Sequence, residues 1–195
     1  MRKTKQSILF IVVTAWCSVF APQAPAQSGR AFVEAQRVSR DRFTVQATTP
    51  RGVRVFARRR PSPAVLSAID RGLAELFAAA RANGYSRRLD YGDYTIFIGR
   101  ADRTTDSQGQ YSPDIAVGAA QYAGSVYDQG GFIYAAGMVI SPSEGAFLIA
   151  EHSRDLSRVS SVVRYEGEHI VLFHNDRRRF AQTLDHSRGG GHPIL

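Results

Sequence analysis

Apolar residues recur at every second position in Phe43-Thr44-Val45-Gln46-Ala47 and again in Val53-Arg54-Val55-Phe56-Ala57. Between these runs, Thr48-Thr49-Pro50-Arg51-Gly52 supplies a proline and a glycine where a tight turn uses them, so the pattern predicts a β-hairpin. The period then changes. Val65, Leu66, Ile69, Leu73, Leu76, Phe77 and Ala80 fall on one face of a helix that Ser62 caps, Pro63 starts and Gly84 ends. Its other face is built from Arg, Asp and Glu, as expected of a helix that covers a sheet. Tyr94-Thr95-Ile96-Phe97-Ile98 predicts a short strand, and the polar stretch 100–114 a loop. From Ile115 to Ile140 the chain is rich in Gly, Ala, Tyr and Val, with Asp128-Gln129-Gly130-Gly131 as a turn between strands at 124–127 and 132–135. Phe147-Leu148-Ile149-Ala150 adds a further strand. A helix from Asp155 to Phe173 follows, then a shorter one capped by Asn175 or Asp176 and reaching His186. The tail from Ser187 to Leu195 holds Gly189-Gly190-Gly191 and Pro193 and is not helical.

These elements define an α+β fold: a single domain over residues 41–195, with a small, mostly antiparallel sheet. The Ser62–Gly84 helix and the Asp155–Phe173 helix pack against that sheet. Residues 27–40 are polar and lack a period, which predicts a linker.

The first 26 residues change the picture of where the domain works. Arg2, Lys3 and Lys5 precede an apolar run from Ile8 to Phe20, and Ala24-Pro25-Ala26 places small residues where a signal peptidase cuts. The run is shorter than the roughly 20 residues that span a bilayer, so a cleaved export signal is expected rather than an anchor. Bulky Trp16 ahead of Cys17 argues against lipid attachment. The expected location is therefore the periplasm or the extracellular space. Cleavage removes Cys17, the single cysteine, so the domain holds itself together without a disulfide. Without Arg2, Lys3 and Lys5 the formal net charge falls from +8 to +5, and every remaining basic residue is arginine. Arg58-Arg59-Arg60 and Arg177-Arg178-Arg179 are the only runs, and they read as solvated faces or helix ends. No aromatic-and-basic pattern of a nucleic-acid module is present, and no later segment is long and apolar enough to cross a membrane.

Candidate chemistry concentrates on the last long helix. On a helical wheel Leu156, Val159, Val163, Ile170 and Phe173 share one face; Glu166 falls inside it and His169 at its edge. A carboxylate turned inward needs a partner, a raised pKa or a metal. Glu168, two positions on, points to nearly the opposite side, which argues against a carboxylate pair for glycoside hydrolysis. Four of the five histidines lie at positions 169, 174, 186 and 192.

The string Tyr165-Glu166-Gly167-Glu168-His169 resembles the active-site helix of the zincin metallopeptidases, which carries His-Glu-x-x-His. There, two histidines one turn apart bind zinc and the glutamate acts as general base on the metal-bound water. The resemblance spans residues 62–176 in element order. It implies a peptidase-type hydrolase with Glu166 as base and His169 as a zinc ligand, whereas Tyr165 stands in place of the first histidine. Three arrangements remain open. Tyr165, Glu166 and His169 form a metal-free buried cluster; Tyr165 itself ligates as phenolate; or the metal is drawn from His169, His174, Asp176, His186 and His192. In the active version His174 and His192 complete the zinc site, and Tyr165 orients water or steadies the oxyanion.

The competing expectation is a non-enzymatic binding or structural protein of the cell envelope, with Tyr111, Tyr122, Tyr127 and Tyr134 as a face for peptide or carbohydrate. Ser125 lacks the G-x-S-x-G elbow of a serine hydrolase, and Gly189-Gly190-Gly191 precedes no helix that would cradle an anion.

Overall fold

The computed structural model describes residues 29–101, 104–105, 111–112, 114–118, 132–152 and 155–183. The chain opens with helix α1 (Arg30–Ser39) and the hairpin β1 (Val45–Thr48) and β2 (Arg54–Ala57). Helix α2 (Pro63–Ala82), a 3-10 turn (Tyr91–Asp93) and strand β3 (Thr95–Gly99) follow. Short strands β4 (Thr104–Thr105), β5 (Tyr111–Ser112), β6 (Ile115–Gly118) and β7 (Phe132–Ala135) lead to β8 (Gly137–Ser141) and β9 (Ala146–Ala150). Helices α3 (Leu156–Asn175) and α4 (Arg177–Thr183) close the described chain.

Five strands form the main sheet in the order β1-β2-β3-β9-β8. The β1–β2 hairpin is the expected one. Its turn is held by Thr49, whose Oγ1 accepts from the Val53 amide at 3.0 Å, while Gly52 takes a φ of +100° that other residues rarely adopt. The sheet is mixed: β2–β3 and β3–β9 pair parallel, and only its two outer ladders, β1–β2 and β8–β9, are antiparallel. The strand sequences are compatible with this. Thr95-Ile96-Phe97-Ile98-Gly99 and Ala146-Phe147-Leu148-Ile149-Ala150 are buried at every position, as strands covered on both faces are. β4 pairs with β5 and β6 with β7, both antiparallel. The expected partner of β7, residues 124–127, lies outside the described residues.

One face of the sheet is covered by α2 and α3 around Ile69, Leu73, Leu76, Ile96, Phe147 and Ile170. Ser62 caps α2 as expected, its Oγ accepting from the Val65 amide at 3.3 Å. The other face is covered by α1 and β6. Here the structure corrects the sequence reading: residues 30–39 are a packed helix, not linker, with Ala31, Ala35 and Val38 buried. A buried face made of alanines and one valine gives little hydrophobic contrast along the sequence. Phe32 of this helix meets Phe43, Phe56 and Phe97 beneath it, Phe56 stacking on Phe97 with ring centres 5.5 Å apart. Asp41, only 5 % exposed, ties this layer to the strand ends. It accepts from the Arg100 amide at 2.6 Å and pairs with Arg58 at 3.2 Å and with Arg100 at 3.3 Å.

The two long helices approach closely because glycines face each other's surfaces. A Cβ on Gly72 of α2 would collide with the Ser160 backbone carbonyl of α3, and one on Gly167 of α3 with the Leu76 side chain. A backbone carbonyl cannot step aside, whereas the end of a leucine can. Gly72→Ala is therefore expected to lower stability by about 1–3 kcal/mol despite the better helix propensity of alanine. Gly167→Ala is expected to cost clearly less. Chemical denaturation of both variants checks the order, and equal losses would contradict it.

Candidate functional site

Helix α3 starts at Asp155, whose Oδ1 accepts from the Arg158 amide at 2.9 Å and from the Ser157 hydroxyl at 2.7 Å. These bonds, the Arg158 amide foremost, hold the Asp155 carboxyl below its usual range. Val159, Val163 and Ile170 of α3 face the core as the wheel requires. Val162 and Glu166 lie one step around, under strand β8. There a Cβ on Gly137 would lie 2.7 Å from Glu166 Cγ and 2.9 Å from its Oε1. Glycine at 137 thus lets the strand settle directly onto the glutamate. The residue as a whole is half-buried, but loss of water at the carboxyl pushes its pKa up to about 8. Among the described residues no ion pair engages Glu166.

Glu168 is the more buried carboxylate, 1 % exposed, and it pairs with Arg164 one turn earlier at 3.2 Å. This corrects the expectation that only Glu166 turns inward. A wheel assumes one covered face, whereas every residue from Gly167 to Leu172 is buried. Glu168 is affordable there because its partner is a cation on the same helix.

His169 is 4 % exposed, and its Nδ1 lies 2.8 Å from Thr183 Oγ1 on α4. The Thr183 hydroxyl also bonds the Phe180 carbonyl at 2.7 Å, so the Nδ1 side of the His169 ring is tied to α4. His174 points elsewhere: its Nε2 donates to the Pro142 carbonyl at 3.1 Å, in the β8–β9 turn. Burial, ahead of the opposing hydrogen bond to Pro142, holds its pKa below the usual histidine value. Tyr165 faces outward, 38 % exposed. Asp176 caps α4, accepting from the Arg179 amide at 3.0 Å and from Tyr85 Oη at 3.3 Å.

The structure therefore separates the residues that the sequence grouped. Glu166 belongs to β8, His169 to α4, His174 to the β8–β9 turn and Tyr165 to the surface. Among the described residues no three His, Cys, Asp or Glu side chains come together to hold a metal ion. His169 and His174, each bound to a different element, do not fit a shared zinc ion. His186, His192, Ser125, Tyr122 and Tyr127 lie outside the described residues; Tyr111 and Tyr134 are placed on β5 and β7. Sequence reasoning passed over His152, buried at the end of β9. A lone histidine outside the cluster gave no signal beyond its place after an apolar strand. Compared with protein-family models, with curated proteins and with solved structures, the chain finds no match.

The raised pKa of Glu166 fixes the sign of a pH effect. A carboxyl that binds its proton more tightly when folded stabilises the fold fully below pH 4.5, its ordinary pKa, and that stabilisation is lost as pH rises through about 8. Glu166→Gln mimics the protonated form. It is expected to match the parent chain below pH 4.5 and to be clearly the more stable of the two at pH 9. Urea unfolding at the two pH values reads this, and a variant equally stable or less stable at pH 9 would contradict it.

Proposed function

We propose that this chain is an exported, zincin-like protein of peptidase type whose metal site is altered or lost, and that an extended peptide binds along strand β8 above Glu166. The observation that carries the reading is the contact of Glu166 with Gly137. β8 is an outer strand of the main sheet, pairing only with β9 among the described residues. A strand of this kind offers its unpaired backbone edge to an extended peptide. A carboxyl with a pKa near 8 directly beneath it is positioned to take or give a proton at a bound peptide group. At neutral pH it is mostly protonated, so it donates a hydrogen bond, and it serves as a base only as the pH rises. Tyr165 has no part in this version of the site, because it faces outward.

A second reading is favoured by one specific observation. His169 and His174 already have protein partners in Thr183 and Pro142, as expected of histidines that hold elements together. In this reading the scaffold binds a peptide or another envelope component without hydrolysing it.

Two measurements on the untagged chain separate these readings. Elemental analysis after dialysis against zinc reports whether an altered metal site persists: near one equivalent means altered, and none means lost. Titration with unstructured peptides, followed by fluorescence anisotropy, is expected to show saturable binding that Gly137→Val weakens at least tenfold by pushing on Glu166. Hydrolysis that rises with pH towards 9 and disappears in Glu166→Gln supports the peptidase; binding without hydrolysis supports the second reading. Absence of saturable peptide binding would overturn the first reading and confine the second to an envelope component other than a peptide.

A further inference from the structure

The carboxyl ends of the three parallel strands frame a pocket of about 160 Å³. Its floor is Ala57 of β2, Ile98 of β3 and Ala150 of β9, and its walls include Ser62 and Val65 of α2 and Val159 of α3. Both helices are 20 residues long and both begin here, so the positive ends of two helix dipoles converge on one concavity. The crevice beyond the carboxyl ends of parallel strands is where open α/β sheets take their ligands.

Charge on the rim agrees with the dipoles. Arg58, Arg59 and Arg60 line the pocket with one carboxylate, Glu151, while the Asp155 carboxylate caps the start of α3. Arg58 is committed to Asp41 at 3.2 Å, whereas Arg59 and Arg60 are exposed and enter no ion pair among the described residues. The inner wall holds an independent sign of a ligand. His152 lines the pocket, is 4 % exposed, and neither of its ring nitrogens has a hydrogen-bond partner among the described residues. Buried polar groups are nearly always satisfied, and those that are not point to an ion or molecule that completes them.

We propose that this pocket binds a compact tetrahedral oxyanion, a phosphate group either free or at the end of a larger molecule, between Arg59, Arg60, His152 and the first turns of α2 and α3. The volume is well below the roughly 300–1,000 Å³ of sites for drug-sized ligands, which restricts the buried part to a group of about this size. Arginines give it paired donors, the helix ends add amide dipoles, and the unsatisfied ring of His152 lies in the wall. The inference is independent of the reading of Glu166, since the pocket uses neither Glu166 nor His169.

The test is titration of the whole chain with inorganic phosphate at constant ionic strength set by chloride, followed by calorimetry and by the ring resonances of His152. Saturable binding that shifts the His152 resonances is expected, with at least a tenfold loss of affinity in Arg59→Ala/Arg60→Ala, whose side chains are exposed and leave the core intact. His152→Gln is expected to weaken binding as well. A parallel titration with glycerol phosphate assigns the source: tighter binding than inorganic phosphate points to a phosphorylated molecule, weaker binding to the free ion. Absence of saturable binding above the chloride control, unchanged affinity in the double variant, or binding that leaves His152 unmoved would each overturn the proposal.

Discussion

The close contact between α2 and α3 is the constraint on which the rest of the molecule depends. Gly72 admits the backbone of α3 at Ser160, and Gly167 admits Leu76 of α2. With two helices locked side by side on one face, the parallel strands β2, β3 and β9 beneath them are covered completely, and α1 with β6 closes the opposite face. The same contact fixes the rotation of α3 about its own axis. Glu166 therefore lies under β8 rather than in solvent, and the starts of both long helices sit at one end of the sheet.

Asp41, Glu168 and the half-buried Glu166 show how position decides the character of a carboxylate. Asp41 keeps two arginines and a backbone amide, and Glu168 keeps Arg164, so each is compensated by a cation. Glu166 has lost water with no ion pair among the described residues, and its proton is held more tightly instead. Chemistry is expected where compensation is missing. The unbonded His152 is the corresponding case just ahead of the start of α3.

Much of this was legible in the residues. The hairpin followed from alternation around Pro50 and Gly52, α2 from Ser62, Pro63 and its apolar spacing, and β3 and β9 from short apolar runs. The inward turn of Glu166 followed from the wheel. What escaped was set by long-range packing. The buried face of α1 is mostly alanine, so its helix left almost no pattern. Parallel pairing of β3 with β9 depends on which strands meet, a property that neither strand's sequence states alone. The burial of Glu168 depends on α3 being enclosed on more than one side. Of the histidines clustered in sequence, His169 and His174 lie among the described residues and do not come together, because they face different elements, α4 and the β8–β9 turn.

The claim at the centre of this account is that contact with β8 makes the Glu166 carboxyl a proton holder at neutral pH. Carbon-13 NMR of the side-chain carboxyl, assigned by comparison with Glu166→Gln and followed from pH 3 to 10, tests it directly. The account predicts a midpoint near pH 8 for this one resonance. A midpoint near 4.5, the ordinary value for glutamate, would show that water reaches the carboxyl freely and would contradict both the geometry under Gly137 and the function built on it.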